Sequence, residues 1–111
     1  MQAPVPSPEE TLVLREQLPL SGPYVAPRTP TEARLAEIWR EVLSMDRVGV
    51  EDAYRDLGGD SFLASVIFAL IDEAFEVPVP MAILMRAPTV AKLAAEIDRR
   101  LELATGTVGE E

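Results

Sequence analysis

The chain has no cysteine and no histidine, a single lysine, few aromatic residues and no apolar run long enough to cross a membrane. Without cysteine there is neither a disulfide framework nor a thiolate metal site, so stability must come from packing. Without histidine the chain lacks the commonest general base, the commonest metal ligand and the usual partner of a nucleophilic serine. Its first residues offer neither a basic segment nor a continuous hydrophobic one, so no secretory signal is read there and the cytoplasm is the expected compartment. Clustered basic residues are also missing. A formal net charge of −9 argues against nucleic acid, whose phosphates require Lys and Arg to displace counterions, and favours basic protein surfaces as partners.

What is present suits one small globular domain: 111 residues, 48% of them hydrophobic. Residues 1–28 carry Pro4, Pro6, Pro8, Pro19, Pro23 and Pro27, which forbid long regular structure and read as a proline-rich linker. Within it, Ser7-Pro8-Glu9-Glu10 has the form of a capping box followed by Leu12, Val13, Leu14 and Leu18, so a short helix near 8–18 is an option. Docking on a neighbouring domain and a frayed terminus both remain open for this stretch. A second capping box, Thr29-Pro30-Thr31-Glu32, opens a helix over about Pro30 to Leu43, with Leu35, Ile38, Trp39, Val42 and Leu43 at helical spacing. Trp39 is expected in the core. Glu32, Arg34, Glu37, Arg40 and Glu41 are expected on the solvent face in weak ion pairs.

From Ser44 to Asp60 no helical period is found, only Val48, Val50, Tyr54 and Leu57 to pin a long loop that delivers the chain to Ser61. Gly58 and Gly59 can take positive φ and leave a partner unobstructed, while Asp60 is a favoured N-cap, placing Ser61 on a helix's first turn with its hydroxyl outward. That helix is predicted from Ser61 to about Phe75, burying Leu63, Val66, Ile67, Leu70 and Ala74. The adjoining Phe62, Ser65 and Ala69 are uncharged too, and a helix apolar nearly all round in so small a domain points to partner contact through Phe62, Ser65 and Val66. Phe68 fits either side. Val77-Pro78-Val79-Pro80 stops the helix, a short turn Met81 to Met85 follows, and Pro88-Thr89 caps a last amphipathic helix through Val90, Leu93, Ala94, Ile97 and Leu101 to near Glu102. Residues 103–111 read as a disordered tail. The expected fold is all-α: a bundle of three main helices and one short helix over 29–102, behind the proline-rich extension.

Gly59-Asp60-Ser61 superficially matches the start of a family of serine esterases, but no histidine can take the hydroxyl proton and the only lysine, Lys92, lies on the last helix. Gly58-Gly59 also lacks the further glycine and the Lys-Ser or Lys-Thr of a phosphate-binding loop. Ser61 is better read as a residue that another enzyme acts upon.

Asp52-Ala53-Tyr54-Arg55-Asp56-Leu57-Gly58-Gly59-Asp60-Ser61-Phe62-Leu63-Ala64 resembles the thiolation core of the peptidyl carrier domains of nonribosomal peptide synthetases. Arg86-Ala87-Pro88-Thr89-Val90-Ala91-Lys92-Leu93-Ala94 is similar to those domains' passage into their last helix, and the likeness runs from about Pro27 to Leu101. The resemblance implies a four-helix carrier bundle and a monomer. It also implies covalent 4′-phosphopantetheine on Ser61, flanked by Gly58, Gly59 and Asp60 and transferred from coenzyme A by a magnesium-dependent phosphopantetheinyl transferase. An amino acid or peptide would ride on the arm as a thioester, exchanged with adenylation, condensation, tailoring or thioesterase domains. Phe62, Ser65, Val66, Met81 and Met85 would meet those partners. Arg55 stands where the family usually has a second aromatic, Met85 where it often has phenylalanine, and Phe62 where leucine or isoleucine is commoner. Leu18-Pro19-Leu20-Ser21 looks like the linker between an adenylation domain and its carrier. An acyl carrier of polyketide or fatty-acid type and a plain helical interaction domain remain the alternatives.

Overall fold

The computed structural model describes residues 12–20 and 22–105; expectations for 1–11, Ser21 and 106–111 lie outside them. Three α-helices make the framework: α1, Pro30–Leu43; α2, Ser61–Phe75; α3, Val90–Thr105. Among the described residues there are no strands, only two isolated bridges, Val13 with Met45 and Ala53 with Thr89.

Helix α1 starts and stops where its chemistry dictates. The Thr29 Oγ1 accepts from the Glu32 N–H, proline occupies the first turn, and Ser44 closes the helix in the left-handed region at φ 56°. Its apolar stripe packs against both α2 and α3, with Leu35 and Trp39 fully enclosed. One expectation fails here. Glu32 is buried, not solvent-facing, because its carboxylate reaches back to the Arg28 N–H at 2.8 Å and pairs with the Arg28 guanidinium at 3.1 Å. These hydrogen bonds hold the Glu32 carboxyl below its ordinary range. Arg40 with Glu37 and Glu41 forms the exposed pairing anticipated for that face.

Helix α2 keeps its predicted bounds, ending at Glu76 in a left-handed cap just before Val77-Pro78. Its buried side is Ala64, Ile67, Phe68 and Ile71, with Leu63, Val66, Leu70 and Ala74 half-buried at its margins. The stripe is therefore turned by about one residue from the sequence expectation, because a nearly uniformly apolar helix carries little phase information. Phe68 belongs to the core. Met81–Met85 is a 3₁₀ turn resting on α2, and α3 runs three residues beyond the expected end near Glu102. The Thr89 Oγ1 caps α3 by accepting from the Lys92 N–H, and the Thr31 hydroxyl donates to Asp98 at 2.6 Å to tie α1 to α3.

The loop from Ser44 to Asp60 is fastened along its length. Met45, Val48, Val50, Tyr54 and Leu57 are all buried. The Val50 carbonyl accepts from the Ala91 N–H at 2.9 Å, and the Tyr54 N–H donates to the Pro88 carbonyl at 2.8 Å. Part of the stretch expected as linker also lies against this loop: Leu18, Leu20 and Val25 pack on the core. The helix considered near 8–18 appears among the described residues as a single 3₁₀ turn, Arg15–Gln17.

Candidate functional site

The site is the junction between the fastened loop and α2. A 3₁₀ turn, Arg55–Leu57, ends at Gly58, whose φ of 90° is a conformation that side chains with a Cβ rarely adopt. A Cβ there would meet nothing, so the backbone alone explains this glycine. Gly59 has a different cause. A Cβ on it would lie 2.1 Å from Tyr54 Cζ, so the tyrosine ring occupies the space a side chain would need. The expected role of Gly59, clearance for a partner, gives way to an internal contact.

Tyr54 acts as the brace of the junction. Its ring meets buried Trp39 edge to face, centroids 5.3 Å apart, and its hydroxyl donates to the Asp60 carbonyl at 2.7 Å. Burial, reinforced by the charge of Asp60, pushes the phenol above its ordinary range, so it remains a protonated donor at neutral pH. Asp60 takes the extended N-cap conformation, and its carboxylate accepts from the Leu63 N–H at 2.8 Å.

Ser61 is the first residue of α2 and is exposed. Among the described residues, nothing accepts from the backbone N–H groups of Ser61 and Phe62 or bonds the Ser61 hydroxyl. Ser65, the other serine of this helix, differs: its hydroxyl donates to the Phe62 carbonyl at 2.6 Å and is engaged within the helix. Beside Ser61 runs an open groove of about 680 Å³, with Met81, Leu84 and Met85 of the 3₁₀ turn facing Tyr54, Arg55 and Pro88. Gly59, Asp60, Ser61, Met81 and Met85 are thus brought together around one groove. Gly58, Phe62, Ser65 and Val66 do not line it. Phe62 is 73% exposed and Met85 87%, against half-buried Val66. Tyr54, Leu84 and Pro88 are site residues that sequence reasoning missed. The signal for Tyr54 was the aromatic five positions ahead of a glycine in a loop otherwise short of helical pattern.

The bundle thus holds an exposed serine at a helix N-terminus beside an open groove. The chain belongs to the family described as "Phosphopantetheine attachment site", whose model matches residues 33–97, and within it to the peptidyl carrier domains. It is 45% identical over 71 residues to tyrocidine synthase 3 of Brevibacillus parabrevis, an alignment covering 64% of this chain and 1% of that protein. The chain thus spans a small fraction of the curated synthetases it matches. Among solved structures, an active-site mutant peptidyl carrier protein is 32% identical with a TM-score of 0.69, over 72% of this chain and 89% of that one. A peptidyl carrier protein in complex with coenzyme A and the phosphopantetheine transferase Sfp is 34% identical with a TM-score of 0.67, over 69% of this chain and all of that one. By family, the chain is a carrier with covalent 4′-phosphopantetheine as its cofactor, not a catalyst.

Proposed function

We propose that Ser61 is the attachment point and that the holo protein carries an aminoacyl or peptidyl group as a thioester in nonribosomal peptide assembly. The observation that carries this reading is the contrast between the two serines of α2: Ser61 is exposed with a free hydroxyl, while Ser65 is committed to its own helix. The residues present fit a serine-linked phosphodiester. The unpartnered N–H groups of Ser61 and Phe62 and the positive end of the helix favour an anion there, and Arg55 lines the adjoining groove. The Asp60 carboxylate is turned to the Leu63 N–H as the helix cap. Bound there, the group supplies the thiol that a cysteine-free chain lacks.

The 3₁₀ turn Met81–Met85 serves as the fourth, short helix of the carrier bundle. Its exposed methionines, with Phe62, Ser65 and Val66, form the surface that meets the transferase, the adenylation domain and the condensation, tailoring or thioesterase domains. The protein acts as a monomer in the cytoplasm, where coenzyme A and ATP are available. The test is stepwise. Incubation with coenzyme A, magnesium and a broad transferase, then with an adenylating enzyme, ATP and its amino acid, should give two mass gains, the second released by hydroxylamine. Failure of the first gain removes the carrier reading, and loading from acyl-coenzyme A alone would favour an acyl carrier instead.

A further inference from the structure

Resting on the reading of Ser61 as the attachment point, we infer that residues 12–20 and 22–28 form a structural strap of the carrier, and that Arg15, acting through Asp52, is a positioning residue for the modification of Ser61. Arg15 lies well upstream of the stretch matched by the family model, yet it is one of the few buried charges among the described residues. Its Nε and Nη2 donate to the two carboxylate oxygens of Asp52, each at 2.7 Å, in the forked geometry that only arginine provides. Nη2 also donates to the Gly22 carbonyl at 3.0 Å, and the Arg15 N–H to Asp46 at 2.8 Å. The strap thereby folds back on itself while gripping the loop.

Further contacts extend the grip. The Val13 N–H donates to the Ser44 carbonyl at 2.7 Å, and the Val13 carbonyl accepts from the Asp46 N–H at 3.0 Å. Downstream, the Val25 carbonyl accepts from the Val50 N–H at 2.9 Å. The Tyr24 ring sits 4.3 Å from the Arg47 guanidinium and 5.7 Å from that of Arg15. Gly49 is confined from both sides: a Cβ there would lie 2.9 Å from the loop's own Asp52 carboxylate and 3.2 Å from the strap's Val25 nitrogen.

What is gripped leads directly to the site. Asp52 also accepts from the Gly49 N–H at 2.9 Å, fixing the turn from which the chain passes to Ala53, bridged to Thr89, and to Tyr54, the brace beneath Gly59 and Asp60. Arg15 therefore holds one end of a short rigid segment whose other end presents Ser61. Removing it leaves a buried carboxylate without its cation, and that carboxylate gains by moving toward water and taking the segment with it. The competent arrangement becomes a fraction of the population. A partner that binds only that fraction meets a weaker apparent affinity, while turnover of the bound complex is unchanged.

The experiment compares the full chain with Arg15→Met and Arg15→Lys, at a temperature where all three retain native helical circular dichroism. Arg15→Met should raise the transferase KM for the carrier about tenfold with kcat unaltered. It should also move the amide resonances of Gly58, Gly59 and Ser61 in the apo protein, and Arg15→Lys should fall between it and the wild type. A folded Arg15→Met with unaltered KM and unaltered resonances overturns the inference, as does a loss confined to kcat. If Arg15→Met does not fold, Asp52→Asn, which keeps the side chain's shape and removes its charge, carries the same comparison. A wild-type chain that accepts no phosphopantetheine would instead refute the attachment reading, and the resonance comparison would still decide the strap.

Discussion

The sharpest consequence of the site geometry concerns Gly59→Ala. The added Cβ would sit 2.1 Å from Tyr54 Cζ and 2.3 to 2.4 Å from both Cε atoms, where ordinary carbon contacts are about 3.5 Å. The ring must retreat by about 1.4 Å, but it is pressed against buried Trp39 and anchored by its hydroxyl on the Asp60 carbonyl. Overpacking of this kind costs about 1–3 kcal/mol, and loss of the hydrogen bond adds about 1 kcal/mol, so a destabilisation of about 2–4 kcal/mol is expected. Tyr54→Leu alone should also destabilise, by about 2–3 kcal/mol, through lost ring packing and the lost hydroxyl. The double variant discriminates. With the ring gone, the alanine methyl has space, and the two effects should fall short of their sum by about 1–3 kcal/mol. Denaturant unfolding followed by helical circular dichroism measures all four corners of the cycle. Gly58→Ala is the control: it pays only for its left-handed backbone, about 1–2 kcal/mol, and should show no coupling to Tyr54. A neutral Gly59→Ala, or strict additivity with Tyr54→Leu, would refute the assignment of Gly59 to the tyrosine ring.

Other substitutions probe other parts of the fold. Trp39→Ala should cost about 3–5 kcal/mol in chemical unfolding, since the indole is fully enclosed and supports Tyr54. The Glu32 carboxyl titrates below its ordinary value when folded, so its contribution is complete above the unfolded pKa and disappears as pH falls through the folded one. Glu32→Gln should therefore lower stability at neutral pH by about 1–2 kcal/mol and flatten the acid limb of a stability–pH profile. Phe62→Glu and Met81→Glu should leave helical circular dichroism intact and lower kcat/KM for transferase or loading enzyme about tenfold; loss of fold in either would mean that core had been mistaken for interface.

Much of the framework could be read from the chain because its signals are local. Thr29-Pro30 and Asp60 mark helix starts by side-chain capping, and Val77-Pro78 marks a stop, so α1 and α2 begin and end where expected. The features that were not legible depend on contacts that local pattern does not encode. Arg15 looks like one charge in a proline-rich stretch, and only the fold brings it to Asp52, 37 residues away. Gly59 next to Gly58 suggests a shared flexibility, whereas one answers to backbone conformation and the other to a ring five residues earlier. The capping-box pattern at Glu32 is compatible with several donors, and the one the fold supplies is Arg28, through both its N–H and its guanidinium. In α2 the apolar residues surround the helix, so its facing was set by tertiary packing instead of sequence period.

Tandem mass spectrometry of the chain after treatment with coenzyme A, magnesium and a broad phosphopantetheinyl transferase bears most directly on Ser61. Fragment ions should place the phosphopantetheinyl group on Ser61, and the Ser61→Ala chain should gain no mass. A group found on Ser65 or any other residue, or a mass gain that persists in Ser61→Ala, would contradict it.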